Sequence, residues 1–141
     1  MELKNKIVWI TGASSGIGEA LCYKLNQAGV KLIISSRNSE GLYQVKNKCT
    51  NNQLDVHVLP LDLENSPELE EKANTALNIF GRIDMIIHSG GVSQRSLAMD
   101  TDLDVAQKIM NINFWGAVIL TKALIPSMLS NQSGHIVIIS S

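Results

Sequence analysis

An α/β fold built on a doubly wound parallel sheet is the architecture this sequence predicts, and three observations predict it. Five short runs rich in Ile and Val recur along the chain: Ile7–Ile10, Lys31–Ser35, Val56–Leu61, Asp84–His88 and His135–Ser140. Helix-like segments separate them, at about 16–28, 39–50, 66–80 and 101–130. The runs are apolar on both faces, which suits strands covered by helices on either side. Alternation of strand and helix then implies right-handed crossovers.

The first strand runs directly into Thr11-Gly12-Ala13-Ser14-Ser15-Gly16-Ile17-Gly18, which opens the first helix. Gly29 is placed to end that helix in a left-handed conformation. Ser66 before Pro67 reads as an N-cap with proline at the first helical position. Gly81 and Gly134 mark the ends of the third and fourth helical regions. In the fourth, helical spacing aligns Ala106, Met110, Asn113, Ala117, Leu120 and Leu124 on one stripe, and Asn113 is its polar exception. Burying that amide without partners would cost about 1–3 kcal/mol, so it is expected to bond backbone, water or a ligand network. Asn111, off the stripe, reads as a surface residue. The last run reads as a buried strand with Ser141 just past it. A strand there would leave one face and one edge bare. The expectation is a single domain over 1–141, truncated after its fifth strand; a natural edge strand covered by a partner chain is the alternative.

Composition narrows the class. A chain of 141 residues, 45% hydrophobic and 18% charged, suits one packed domain and excludes a disordered or fibrous protein. Twelve Lys and Arg against 13 Asp and Glu leave a net charge of −1, which gives no reason to expect binding to nucleic acid or an anionic membrane. Aromatic residues, at 4%, are too few for a base-stacking surface. Cys22 and Cys49 have no metal or CxxC spacing, so two reduced thiols and no metal site are expected. Only four apolar residues, Ile7 to Ile10, come after the polar start, too few for a signal peptide. No uninterrupted apolar run approaches the roughly 18 residues of a membrane span. A soluble, cytoplasmic protein is expected.

The glycine turn carries the first chemistry. A strand that runs into glycines and then a helix lets the backbone turn tightly and approach a pyrophosphate, whose charge meets free amides at the helix start. The spacing is not GxGxxG, because Leu21 stands where a third glycine is required, and no GK[ST] comes after Gly12 to make a P-loop. Gly12, Ser14, Ser15, Gly16, Ile17 and Gly18 are the candidate phosphate contacts. The turn T-G-A-S-S-G-I-G resembles the TGxxxGxG signature of the short-chain dehydrogenase/reductase family, and family-like spacing continues through the chain. The resemblance implies a Rossmann-like dinucleotide-binding domain and a nicotinamide cofactor.

Further positions gain roles from the resemblance. Beyond such a turn an acidic residue normally holds the ribose of NAD, or an arginine the phosphate of NADP. Here Ser36 replaces the acid and Arg37 comes next, which removes a repulsion and adds a planar fork suited to phosphate. NADP(H) is the cofactor implied; a solvated loop charge is the other reading of Arg37. Asp62 and Leu63 match the adenine side, although Asp62 could instead cap the next turn. Where the family carries N-N-A-G, this chain has His88-Ser89-Gly90-Gly91. Ser89, Gly90 and Gly91 still permit close approach of the cofactor, while His88 reads as a structural substitute. Asn113-Phe114-Trp115-Gly116 resembles the family's N-x-x-G, whose asparagine holds a helix irregularity and a relay water. Ser141 matches the serine that polarises the substrate carbonyl.

The implied chemistry also needs a tyrosine and a lysine four residues on. Tyr23 and Tyr43 have Gln27 and Asn47 at that distance. The expectation is therefore the cofactor half of an oxidoreductase acting on a small carbonyl or alcohol substrate, inactive alone and homo-oligomeric when complete. A non-catalytic NADP(H)-binding sensor or assembly module is the alternative.

Overall fold

A computed structural model describes residues 2–140 and shows five parallel strands with helices between them. The strands are β1 (Ile7–Thr11), β2 (Lys31–Ser35), β3 (Val56–Val58), β4 (Met85–His88) and β5 (His135–Ile138). The helices are α1 (Gly16–Gln27), α2 (Ser39–Lys48), α3 (Ser66–Phe80), α4 (Leu103–Met110) and α5 (Gly116–Ser130). Strand order is β3-β2-β1-β4-β5. The chain leaves β1 to one side for β2 and crosses to the other for β4, so a crevice opens above the carboxyl ends of β1 and β4.

Alternation along the strands builds two cores. Ile7, Trp9, Ile33 and Ile86 face α3 and α5, packing on Leu69, Ala73, Leu120 and Leu124. Val8, Ile10, Leu32, Ile34, Met85 and Ile87 face α1 and α2, packing on Cys22, Leu42 and Val45. Both faces of β1 and β2 are buried, as the two-sided apolar runs require. Trp9 is fully buried and its indole Nε1 donates to Ser35 Oγ at 2.8 Å, which satisfies its one polar group.

Several boundaries differ from expectation. The third strand stops at Val58 because Pro60 has no N–H; Leu59 and Leu61 still donate to Ile34 and Ser36 carbonyls. Asn65, not Ser66, is the N-cap residue of α3, and Gly81 ends that helix at φ +88°. Gly29 is left-handed, as expected, at φ +78°. After α5, however, Gln132 takes the positive φ of +52° and Gly134 does not. A Cβ on Gly134 would lie 2.6 Å from Met128 Sδ, so that glycine answers a packing need.

The region expected as one helix over 101–130 is interrupted by a π turn at Asn111–Trp115. The buried positions are Ile112, Gly116, Leu120, Leu124 and Met128, while Ala106, Met110 and Asn113 of the expected stripe are exposed. Asn111 is half-buried and accepts a bond from Gln107 Nε2. The helical run Leu103–Ser130 spans 28 residues with a mean hydropathy of 1.4 in its most apolar window, the length and composition of a membrane span. Asn111, Asn113 and Lys122 interrupt its apolar residues, Leu120, Leu124 and Met128 pack into the core, and 28% of that window is buried. The fifth strand pairs with β4 as expected but is not buried: Ile136 and Ile138 are 42% and 65% exposed.

Candidate active site

The glycine turn closes on itself through backbone contact. Ala13 N donates to Ser35 O, which ties the turn to the end of β2. Gly12 has φ +66°, and a Cβ there would lie 2.6 Å from Gly90 Cα. A Cβ on Gly18 would lie 2.2 Å from Gly12 O, so Gly18 lets α1 sit directly behind the turn. Gly16 differs: its φ is +56° and nothing lies within 4 Å of an added Cβ. The space over Gly16 is open, and Ser15 caps α1 without a side-chain bond, leaving the first-turn amides uncommitted to a side chain. Such a surface fits an anionic group.

Two cavities meet over this turn. One, of about 250 Å³, is lined by Gly12, Ser14, Ser15, Ser36, Arg37 and Asp62 among others. The second, of about 480 Å³, is lined by Ile17, His88, Ser89, Asn113 and Ser140 among others. Leu63, Gly90, Gly91 and Ile112 line both, so the cavities are two lobes of one crevice. A Cβ on Gly90 would press Leu63 Cδ1 at 2.8 Å, which explains why the smallest residue stands at the waist. The shape and donor set fit an elongated dinucleotide.

The predicted residues divide between the lobes. Arg37 is exposed at the rim of the smaller one, beside Ser36 and Ser14. Asp62 also lines it, and its Oδ1 accepts from Glu64 N at 3.0 Å, so it closes the next turn as well. In the larger lobe Asn113 makes two bonds to one residue: Val92 N donates to its Oδ1 at 2.9 Å, and its Nδ2 donates to Val92 O at 2.7 Å. The amide is bonded to backbone as expected, although exposed. Ser140 reaches the larger lobe; Ser141, the predicted carbonyl-polarising residue, lies outside the described residues.

His88 is buried at the end of β4, with Nε2 2.9 Å from Thr121 Oγ1 on α5. Burial pushes its pKa down to about 4, so the ring is neutral at ordinary pH and ties sheet to helix. Tyr23 and Tyr43 reach neither lobe. The Tyr23 hydroxyl donates to Glu19 Oε1 at 2.7 Å, and its pKa is raised by burial and by that carboxylate. Cys22 and Cys49 are buried free thiols, and burial pushes Cys22 up to about 12. Among the described residues no group of three His, Cys, Asp or Glu side chains gathers as a metal site.

Sequence reasoning missed Asn38, Val92 and Ile112. An Asn three residues ahead of Gly41 at a helix start was a legible cap signal for Asn38. Val92 contributes only backbone, which no side-chain pattern reveals.

A five-stranded parallel sheet with its crevice over a glycine turn and an asparagine on a π turn beside it define a Rossmann-like α/β scaffold. The chain belongs to the short chain dehydrogenase family, whose match extends over residues 6–141. Dehydrogenase/reductase SDR family member 7 of Homo sapiens is 46% identical over 99% of this chain and 42% of its own length. Dehydrogenase/reductase SDR family protein 7-like of Drosophila melanogaster is 41% identical over 99% of this chain and 44% of its own length. A crystal structure of a short-chain dehydrogenase from Streptomyces avermitilis superposes with a TM-score of 0.90 at 28% identity, covering 100% of this chain and 51% of that one. The chain thus spans less than half the length of these curated relatives.

Proposed function

We propose that this chain is the cofactor-holding part of an oxidoreductase that uses NADP(H) to interconvert a carbonyl and an alcohol. Arg37 at the rim of the smaller lobe carries this reading: it shares that lobe with Ser14 and Ser36, and no carboxylate stands after β2 where a ribose acceptor would be placed. When bound, the nicotinamide supplies a hydride acceptor or donor. The protein's own part is to hold the pyrophosphate on the amides at Gly16–Gly18 and the 2′-phosphate on Arg37. Neutral His88 and the doubly bonded Asn113 keep the floor of the larger lobe in shape, where a small substrate would meet Ser140; the carbonyl-polarising role falls to Ser141 by the family resemblance alone. On this reading the tyrosine and lysine for proton delivery belong to the remainder of a longer protein, in line with the length of the relatives.

The same reading places a second copy of the protein on the exposed α4–α5 face, where Phe114 and Trp115 are each about half exposed and stack edge to face at 5.1 Å. Calorimetric titration of wild type and Arg37→Asp with NADPH and NADH tests the cofactor. The variant should lose roughly 10²- to 10⁴-fold in NADPH affinity, the size of two charge-assisted hydrogen bonds, and little in NADH affinity. Equal losses for the two cofactors would end the proposal.

A further inference from the structure

The turn that carries Arg37 is tied at both ends. Asn38 N donates to Ser36 Oγ at 3.1 Å, and Ser36 Oγ donates back to Asn38 O at 3.4 Å, so the residues flanking Arg37 are bound to each other. Asn38 then caps α2: its Oδ1 accepts from Gly41 N at 2.9 Å while its carbonyl accepts from Leu42 N at 3.0 Å. Gly41 is buried at the meeting of two loops. A Cβ there would lie 2.8 Å from Asn38 Nδ2 and 3.2 Å from Ser14 Cβ. The missing side chain therefore lets the start of α2, with Asn38, close against the glycine turn that carries Ser14. Arg37, Ser14 and Asn38 all line the smaller lobe.

We infer that Asn38 is a positioning residue for the cofactor's 2′-phosphate, acting through its cap on Gly41 to set Arg37 against Ser14. This rests on the NADP(H) reading and deepens it. An exposed arginine at the end of a loose loop samples many orientations, and ordering it on binding costs affinity. The Ser36–Asn38 clasp and the Asn38–Gly41 cap remove that freedom beforehand. The effect belongs to the phosphate alone, because a cofactor without a 2′-phosphate does not use Arg37.

Titrations of the full-length protein with NADPH and with NADH test this, using Asn38→Ala, Asn38→Ser, Gly41→Ala and Arg37→Ala. Serine is a competent neutral cap and alanine is not. Asn38→Ala should weaken NADPH binding about fivefold, the equivalent of one lost cap bond, with NADH held within about twofold. Gly41→Ala should reproduce this pattern from the other side of the cap, and Asn38→Ser should restore wild-type affinity. Equal losses for both cofactors, an Asn38→Ser variant as weak as Asn38→Ala, or an unaffected Asn38→Ala would each overturn the inference. Arg37→Ala separates the two levels. If it leaves the NADPH-to-NADH preference unchanged, the cofactor reading itself fails and the inference with it. If it abolishes the preference while Asn38→Ala does not, only the role of Asn38 fails.

Discussion

Gly16→Val isolates the binding role of the glycine turn from its folding role. Gly16 lies at φ +56° with nothing within 4 Å of an added Cβ, so a valine there meets no protein atom. The free protein would lose only the strain of a left-handed β-branched residue, about 2 kcal/mol. Binding would lose more, because the isopropyl group fills the space through which phosphate oxygens approach the amides. Two charge-assisted hydrogen bonds at about 1.5–3 kcal/mol each amount to a loss of roughly 10²- to 10⁴-fold. Gly81 is a matched control at φ +88°, also with nothing within 4 Å, but at the end of α3 and away from both lobes. Chemical denaturation measures the strain, and calorimetric titration with NADPH and NADH measures binding. Gly81→Val should lose similar stability and keep both affinities, whereas Gly16→Val should lose both. Wild-type affinity in Gly16→Val, or equal binding losses in the two variants, would refute the anion-cradle reasoning.

The same geometry sets other outcomes. Gly18→Ala, which places a Cβ 2.2 Å from Gly12 O, should destabilise the fold by about 1–3 kcal/mol even without cofactor, measured by denaturant unfolding. His88 should contribute a pH dependence: its folded pKa, about 4, lies below the unfolded value near 6.5, so the unfolded state binds the extra proton between them. Stability should be complete above about pH 6.5 and fall by about 2–4 kcal/mol toward pH 4, a slope missing from the pH profile of the His88→Asn variant. Asn113→Ala removes both bonds to Val92, so hydrogen exchange at the Val92 amide should quicken while exchange in β1 stays slow. Trp115→Glu on the exposed helix face should shift sedimentation of the full-length protein toward monomer, and an unchanged profile would remove that face from the assembly.

Much of the fold was legible because its signals are local. Two-sided burial of a parallel strand writes itself as a continuous apolar run, so β1, β2 and β4 were visible without any partner. The glycine turn was visible for a similar reason: backbone that must approach backbone excludes a Cβ, and Gly12, Gly18 and Gly90 each show such an approach. Arg37 stands out by its distance from that turn. Asn38 is harder to see, because its side chain is spent on a local cap and its consequence falls on a neighbour. Ser66 reads as a cap although Asn65 is the one, because Asn, Ser and Pro in sequence offer two adjacent starts, and side-chain type alone does not choose between them.

The long helix shows where periodicity itself gives out. A period of 3.6 drawn from Asp102 onward puts Asn113 in line with Leu120 and Leu124, on the face toward the sheet. The buried face runs instead through Ile112, Gly116, Leu120, Leu124 and Met128, at steps of four. The π turn at Asn111–Trp115 accounts for the difference, since one extra residue in a turn rotates the preceding half of the helix relative to the half after it. That rotation lets one helix meet two demands. Its second half keeps Gly116, whose missing Cβ lies 3.2 Å from Leu63, against the core. Its first half turns Asn113 toward Val92, where both amide atoms find backbone partners. A regular helix through the same residues would carry Asn113 off that register. The irregularity is therefore tied to the crevice rather than to the packing of the helix, and its traces in the sequence were an asparagine inside an apolar stripe and the N-x-x-G resemblance at Asn113–Gly116.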